Sequence, residues 1–151
     1  MDNQTCKLDI HQEVWDLGGT LEAAFLTPDG EPCQLLHEDQ AVRIRVRVHL
    51  TGRILNYLCD TQLCVTVAYE SIGTGPEGEV TRGHTLTPCR DGGDTYTFDF
   101  DLPGGTLSAG ECGKQYEIGI TLGSKDCCGQ AGFIFGTCRD FNITVVPADV
   151  N

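Results

Sequence analysis

Apolar and polar residues alternate along most of this chain with a period of two, not with the 3.6-residue period of a helix. The clearest segment is AVRIRVRVHL at 41–50, where every second residue is apolar and the others include three arginines and a histidine. Because successive side chains point to opposite faces of a strand, this segment predicts a half-buried strand. The same alternation predicts four more strands, at 62–70, 95–102, 116–122 and 140–146.

Three further segments carry a weaker pattern. GTLEAAFLT at 19–27 predicts a strand or a short helix, EVTRGHTLT at 79–87 predicts an edge strand, and FIFGTC before the last strand predicts that this strand bends near Gly136. Turns rich in glycine, proline and aspartate separate the segments, and the first 18 residues offer a short helix at most. We therefore predict an all-β protein, a single antiparallel β-sandwich of about seven to eight strands at 19–147, between an N-terminal arm (1–18) and a C-terminal tail (148–151).

One tyrosine suggests the topology of the sandwich. In SAGECGKQYEI, Tyr116 begins a strand after a glycine-rich crossing, which resembles the tyrosine corner of immunoglobulin-like domains. In that layout segment 41–50 is strand B and segment 95–102 is strand E, and the two are antiparallel neighbours. An immunoglobulin-like topology is the prediction.

Charged residues on these two strands are complementary. Arg43, Arg45 and Arg47 would share the outer face of strand B and lie across from Asp99 and Asp101 of strand E. Opposite charges across a sheet stabilise it by roughly 0.2–1 kcal/mol per pair, so we predict cross-strand ion pairs that set the strand register. The alternative is an exposed basic strip that binds an anionic ligand.

Three segments taken together resemble a known group of proteins. AYESIGTGPEGE, YTFDFDLPGGTLSAG and YEIGITL look like parts of a set of uncharacterised bacterial proteins with immunoglobulin-like β-sandwich folds. The resemblance covers roughly residues 20–146. It implies the fold and implies no catalytic residues, and the cysteines of this chain are not part of the shared pattern.

Net charge removes several classes of partner. At −12 the chain repels phosphate backbones and anionic lipid surfaces, which argues against nucleic-acid and membrane binding. No stretch of 18 apolar residues is present, so no membrane insertion is expected. The first 19 residues lack a basic segment followed by an apolar one and are not predicted to be a secretory signal.

Nine cysteines are unusual for a cytosolic chain of this length. Most fall in predicted loops or at strand ends, which favours disulfides, each worth roughly 2–4 kcal/mol. Cys59 could close a small loop with Cys64, and Cys112 could reach Cys127 or Cys128. The disulfide candidates are Cys59, Cys64, Cys112, Cys127, Cys128 and Cys138.

Reduced thiols and a metal site remain the alternatives for the cysteines. Nine is an odd number, so at least one thiol is unpaired or bonded to another chain. The single pair Cys59 and Cys64 is weak support for a zinc site. The chain has no Cys-x-x-Cys motif, which argues against a thioredoxin-like redox function. The cysteine content favours an extracellular or cell-surface location, while the lack of a predicted signal leaves a cytoplasmic one open.

No motif for catalysis is present. The four histidines and three serines lie outside the known hydrolase and metalloprotease patterns, and no phosphate-binding loop occurs. The carboxylates of DGGD (91–94) and DFD (99–101) lack EF-hand spacing, so we assign the former to turn formation, not calcium. We predict no enzyme, no metal and no cofactor.

A glycine-rich acidic loop follows the second strand. ESIGTGPEGEV, with Glu70, Gly73, Gly75, Pro76 and Glu77, is a candidate partner loop, because sandwich domains often bind through end loops. The expected function is a non-enzymatic module that acts through protein–protein contact, as a structural, adhesive or self-assembling subunit. The alternative is a binding module for a small ligand, such as a carbohydrate, calcium or zinc.

Overall fold

The computed structural model describes residues 3–7, 9–10, 18–52, 61–73, 75–86, 94–125 and 131–148. Within these ranges the chain forms ten strands, and no helix capable of crossing a membrane is found there. The strands are β1 (Asn3–Lys7), β2 (Asp9–Ile10), β3 (Gly18–Leu26), β4 (Leu35–His37), β5 (Val42–Thr51), β6 (Gln62–Ser71), β7 (Glu77–Thr85), β8 (Asp94–Leu102), β9 (Lys114–Lys125) and β10 (Ala131–Val146).

The strands form two sheets. Sheet I has the order β1-β3-β5-β8, and sheet II has the order β2-β10-β9-β6-β7. Strand β4 also joins sheet II, where it pairs parallel to the end of β10, with Leu36 opposite Val145. The other strand pairs are antiparallel, so sheet I is antiparallel and sheet II is mixed. The prediction of an all-β chain is confirmed, but the prediction of a wholly antiparallel one is wrong, because β4 pairs parallel to β10.

The strong alternating segments became strands close to their predicted bounds, and β3 is a strand, not a helix. Two differences concern short strands. The segment predicted as an arm contains β1 and β2, and the region between β3 and β5 contains β4. These strands are two to five residues long, too short to show an alternation, and they are held by pairing with distant strands.

The last strand includes FIFGTC, and its pairing is irregular on either side of Gly136. Strand β10 runs for 16 residues, and its register against β9 shifts between Ala131 and Phe135 and again between Cys138 and Phe141. Gly136 itself stays in register, opposite Leu122. An extra residue in one strand of an antiparallel pair turns the strand without ending it.

The inward-facing side chains of both sheets form one core. Leu21, Ile44 and Val46 of sheet I are completely buried, as are Val65 and Ile118 of sheet II. Each such side chain contributes roughly 1.5–3 kcal/mol when it leaves water. The alternation seen in the sequence therefore exists because one face of each strand supplies this core.

A loop between β8 and β9 is fastened to β9 and to the turn between β4 and β5. Tyr116, which is fully buried, donates a hydrogen bond from its hydroxyl to the carbonyl oxygen of Ser108 at 2.7 Å. The backbone amide of Ala109 donates to a carboxylate oxygen of Glu38 at 2.9 Å. At Gly104 a β-carbon would collide with the backbone of Asp39, so the close approach of these two turns requires glycine there.

Candidate interaction surfaces

The outer face of sheet I carries the predicted arginines and aspartates. Arg43 lies opposite Asp101 in the register of β5 and β8, with its Nε 2.6 Å from Oδ1. Arg45 lies opposite Asp99, and two hydrogen bonds of 2.8 and 3.1 Å join its Nε and Nη2 to the two carboxylate oxygens. The forked geometry suits a guanidinium and a carboxylate. These four side chains therefore form two ion pairs, in which each positive charge is balanced by a negative one.

These contacts change the proton affinity of the groups. The hydrogen bond from Arg45, and then the positive charges of the arginines, hold the pKa of Asp99 below its ordinary value, against the opposing effect of its partial burial. Hydrogen bonding to Asp101 raises the pKa of Arg43, and hydrogen bonding to Asp99 raises that of Arg45. The pairs are half exposed, so each is worth little more than a surface ion pair.

Arg47 differs from the other two arginines. Its neighbour on β8 is Thr97, not an aspartate, and its neighbour on β3 is Glu22. Arg47 and Glu22 line a shallow cavity of about 180 Å³, together with Arg45. Because Arg45 is already bound to Asp99 and a carboxylate shares the cavity, this surface is poorly suited to an anion.

The cysteines with described side chains fall into two groups. Cys33 and Cys64 are half-buried and Cys112 is exposed, and all three carry free thiols. Burial raises the pKa of the Cys33 thiol, which makes it a poor nucleophile. Cys138 is buried in the core and takes part in a disulfide.

The structure therefore corrects part of the disulfide prediction. Neither the bridge expected from Cys64 nor the bridge expected from Cys112 forms. Cys64 lies within β6, as the predicted strand 62–70 implies, and is opposite Gly83 and Gly123 of the neighbouring strands. The other candidates, Cys59, Cys127 and Cys128, lie outside the described residues, as does Asp91 of the DGGD turn.

The candidate partner loop connects β6 to β7. Glu70 and Glu77 lie directly opposite each other at its base, and Gly73 adopts a φ of 99°, which favours glycine. Ile72, the first residue after β6, has a side chain that is 59% exposed, and its backbone amide donates a hydrogen bond to the carbonyl oxygen of Gln115 on β9. The remaining members, Gly75 and Pro76, precede β7.

The outer face of sheet II holds a row of carboxylates that the sequence analysis missed. Glu70 of β6 lies between Glu77 of β7 and Glu117 of β9, directly opposite each of them. Like charges in directly opposite positions destabilise a sheet. The alternation of each strand indicates that these side chains face outward, but the row appears only once β9 is known to be the neighbour of β6.

Strand β7 forms one end of sheet II. Among the described strands it pairs with β6 alone, and seven of its nine residues are exposed. An edge strand presents backbone N–H and C=O groups that can pair with another chain. The prediction of an edge strand in this segment is confirmed.

The inner side of β7 rests on the end of sheet I. The ring of His84 lies 5.1 Å from the ring of Tyr96 and 6.4 Å from that of Phe98, both on β8. Across from the other half of β7, Tyr69 of β6 covers Gly78, where a β-carbon would come within 2.5 Å of the tyrosine hydroxyl. These contacts hold β7 in place, and β6 is its only paired neighbour among the described strands.

Metal ligation finds no support in this part of the molecule. No group of three or more histidine, cysteine, aspartate or glutamate side chains within the described ranges could hold a metal ion. Neither a protein-family model nor a curated protein matches the sequence. The candidate interaction surfaces of the described residues are the charged outer faces of the two sheets and the edge of β7.

Proposed function

We propose that the chain is an immunoglobulin-like β-sandwich that acts without catalysis, through protein–protein contact made by the edge of β7. The accessibility of that edge is the observation that carries the proposal. A partner strand laid along β7 would add to sheet II by main-chain hydrogen bonds, which is a common mode of protein recognition.

The strand order supports the immunoglobulin-like part of the proposal. If β3, β5 and β8 are strands A, B and E, they form one sheet in the order A-B-E. Strands β10, β9, β6 and β7 then correspond to G, F, C and C′, in that order in the second sheet. Tyr116 lies near the start of strand F, and its bond to Ser108 has the form of a tyrosine corner.

The charge distribution supports a protein partner over an anionic one. Sheet II carries Glu77, Glu70 and Glu117 in one row beside the β7 edge, and the chain as a whole has a net charge of −12. A nucleic acid or an acidic lipid surface would be repelled there. A protein strand requires only main-chain groups for pairing.

A disulfide-containing, exported protein is also part of the proposal. The buried half-cystine at Cys138 supports it, because such bonds persist in oxidising compartments. Cys33, Cys64 and Cys112 are free thiols, so the disulfides do not include all the cysteines. Mass spectrometry of the native protein after thiol alkylation should leave some cysteines unmodified, and full alkylation would contradict this part.

Amide hydrogen exchange of the dilute protein tests the open edge. We expect alternate amides of β7, those that point away from β6, to exchange much faster than the amides of β6 and β9. The amides of β6 and β9 serve as the internal control, because both strands have neighbours on each side. Uniform slow exchange along β7 would mean that the edge is covered, and the proposal would fail.

A further inference from the structure

We propose that the occupant of the β7 edge is β7 of a second copy of this chain, paired antiparallel about a two-fold axis at Thr81. This inference rests on the proposed function and adds the identity of the partner and the register. The result would be one continuous sheet made of the two copies of sheet II, which would meet at their β7 strands.

Symmetry restricts how two copies can pair in this way. A two-fold axis perpendicular to the sheet makes the two edge strands antiparallel and keeps the outer faces of both copies on the same side. Strand β7 has nine residues, Glu77–Thr85, and Thr81 is its midpoint. Only an axis at Thr81 lets all nine residues of each strand find a partner residue.

The charges along β7 suit this register. Glu77 would lie opposite Thr85 of the second copy, and Glu79 would lie opposite Gly83, so each carboxylate faces a neutral residue. On the inner side Arg82 would lie opposite Val80. No two like charges are directly opposed.

Neighbouring registers are less favourable. An axis at Glu79 would place that glutamate opposite its own copy, and an axis at Arg82 would do the same for the arginine. An axis at Val80 avoids both conflicts but leaves the last two residues of β7 beyond the partner strand. It would also place Thr81 opposite Glu79 of the second copy.

The overall charge acts against the pairing. Two chains of net charge −12 repel each other, and salt screens this repulsion. The dimer should therefore become tighter as ionic strength rises, whereas a dimer held by exposed ion pairs would become weaker.

Sedimentation equilibrium of the full chain, with Thr81→Lys and Thr121→Lys as matched variants, tests the proposal. Both threonines are exposed on the outer face of sheet II and both lie opposite Thr66, but Thr121 belongs to the interior strand β9. Each variant changes the net charge equally. In the proposed dimer, Thr81→Lys brings two lysines together at the axis and should raise the dimer Kd about fivefold, while Thr121→Lys should not.

The outcomes separate the two proposals. A wild-type dimer that tightens with salt and is weakened by Thr81→Lys alone supports the inference. An unchanged Kd for Thr81→Lys would overturn it, and a tighter dimer would also overturn it, because that result fits an axis at Val80. A chain that stays monomeric at high concentration, with fast exchange along β7, would end the inference and leave the proposed function standing.

Discussion

The outer faces of the two sheets use charge in opposite ways. On sheet I, Arg43 and Arg45 of β5 meet Asp101 and Asp99 of β8 at hydrogen-bonding distance. On sheet II, Glu70 has a glutamate directly opposite on each side. One face therefore gains stability from its cross-strand pairs, and the other gives up stability.

The difference teaches that surface charge serves two purposes in this molecule. The pairs on sheet I restrict the register of β5 and β8, because a slip of two residues in one direction would place Arg43 opposite Asp99 and leave Asp101 without a direct partner. A slip in the other direction would keep two pairs, Arg45 with Asp101 and Arg47 with Asp99, so the charges exclude only one of the two slips. The row on sheet II does not favour its own register, since like charges lie directly opposite one another there. The glutamates of this row do not stabilise the fold, and their negative charges can attract or repel a molecule that approaches β7.

The largest expected effect comes from reversing one charge on sheet I. Arg45→Asp places two carboxylates in the position that now holds a forked ion pair, so we expect the free energy of unfolding to fall by about 1–2 kcal/mol. Urea unfolding at neutral pH measures this. The double variant Arg45→Asp/Asp99→Arg restores the opposite charges and should recover most of the loss.

One outcome of the charge-swapped double variant would contradict this prediction. If the double variant is as unstable as the sum of its two single variants, the pair makes no specific contribution, and the contrast between the faces disappears. The swap is informative because a double-mutant cycle isolates the interaction from the cost of changing each residue alone.

The sequence was sufficient to predict this face but not the other one. The pattern of Arg43, Arg45, Asp99 and Asp101 could be found because each lies on a strongly alternating strand, and complementary charges indicate which strands are neighbours. The glutamates of sheet II offer no such signal. Their alternation assigns a face, but like charges give no reason to place β6 beside β9.

The other misses have similar physical causes. Strand β4 is three residues long and pairs parallel to β10, so only the tertiary fold reveals it. The proximity of Cys64 to Cys59 in the chain favours a disulfide, yet Cys64 lies on β6, which has a neighbouring strand on each side. The position of Tyr116 is easier to predict, since its hydrogen bond reaches back along the chain only to Ser108.

A smaller effect is expected when the Arg45–Asp99 pair is neutralised. Asp99→Asn should lower the free energy of unfolding by about 0.5–1 kcal/mol at pH 7. The folded-state pKa of Asp99 is depressed below its ordinary value of 3.8, so its contribution is present above that pH and is lost as the pH falls through the folded pKa. The wild type and the variant should therefore converge in acid, from about pH 4 downward.

Urea titrations of both proteins at neutral and acidic pH measure this convergence. The matched control is Thr97→Val, on the same outer face of β8 but outside the ion pairs, whose difference from the wild type should not change with pH. A gap between the wild type and Asp99→Asn that stays constant into acid would show that the carboxylate charge is not the source of the stabilisation.

The smallest effect, and the one of opposite sign, belongs to sheet II. Glu70→Lys puts a positive charge between Glu77 and Glu117, so we expect the free energy of unfolding to rise by about 0.2–1 kcal/mol, and less at high salt. Glu31→Lys, in the exposed turn after β3, makes the same change in net charge and is the control. Chemical unfolding at low and high salt measures both. An equal gain in the two variants would mean that relief of net charge explains it, whereas a gain confined to Glu70→Lys would show that the carboxylate row is a local cost to the fold.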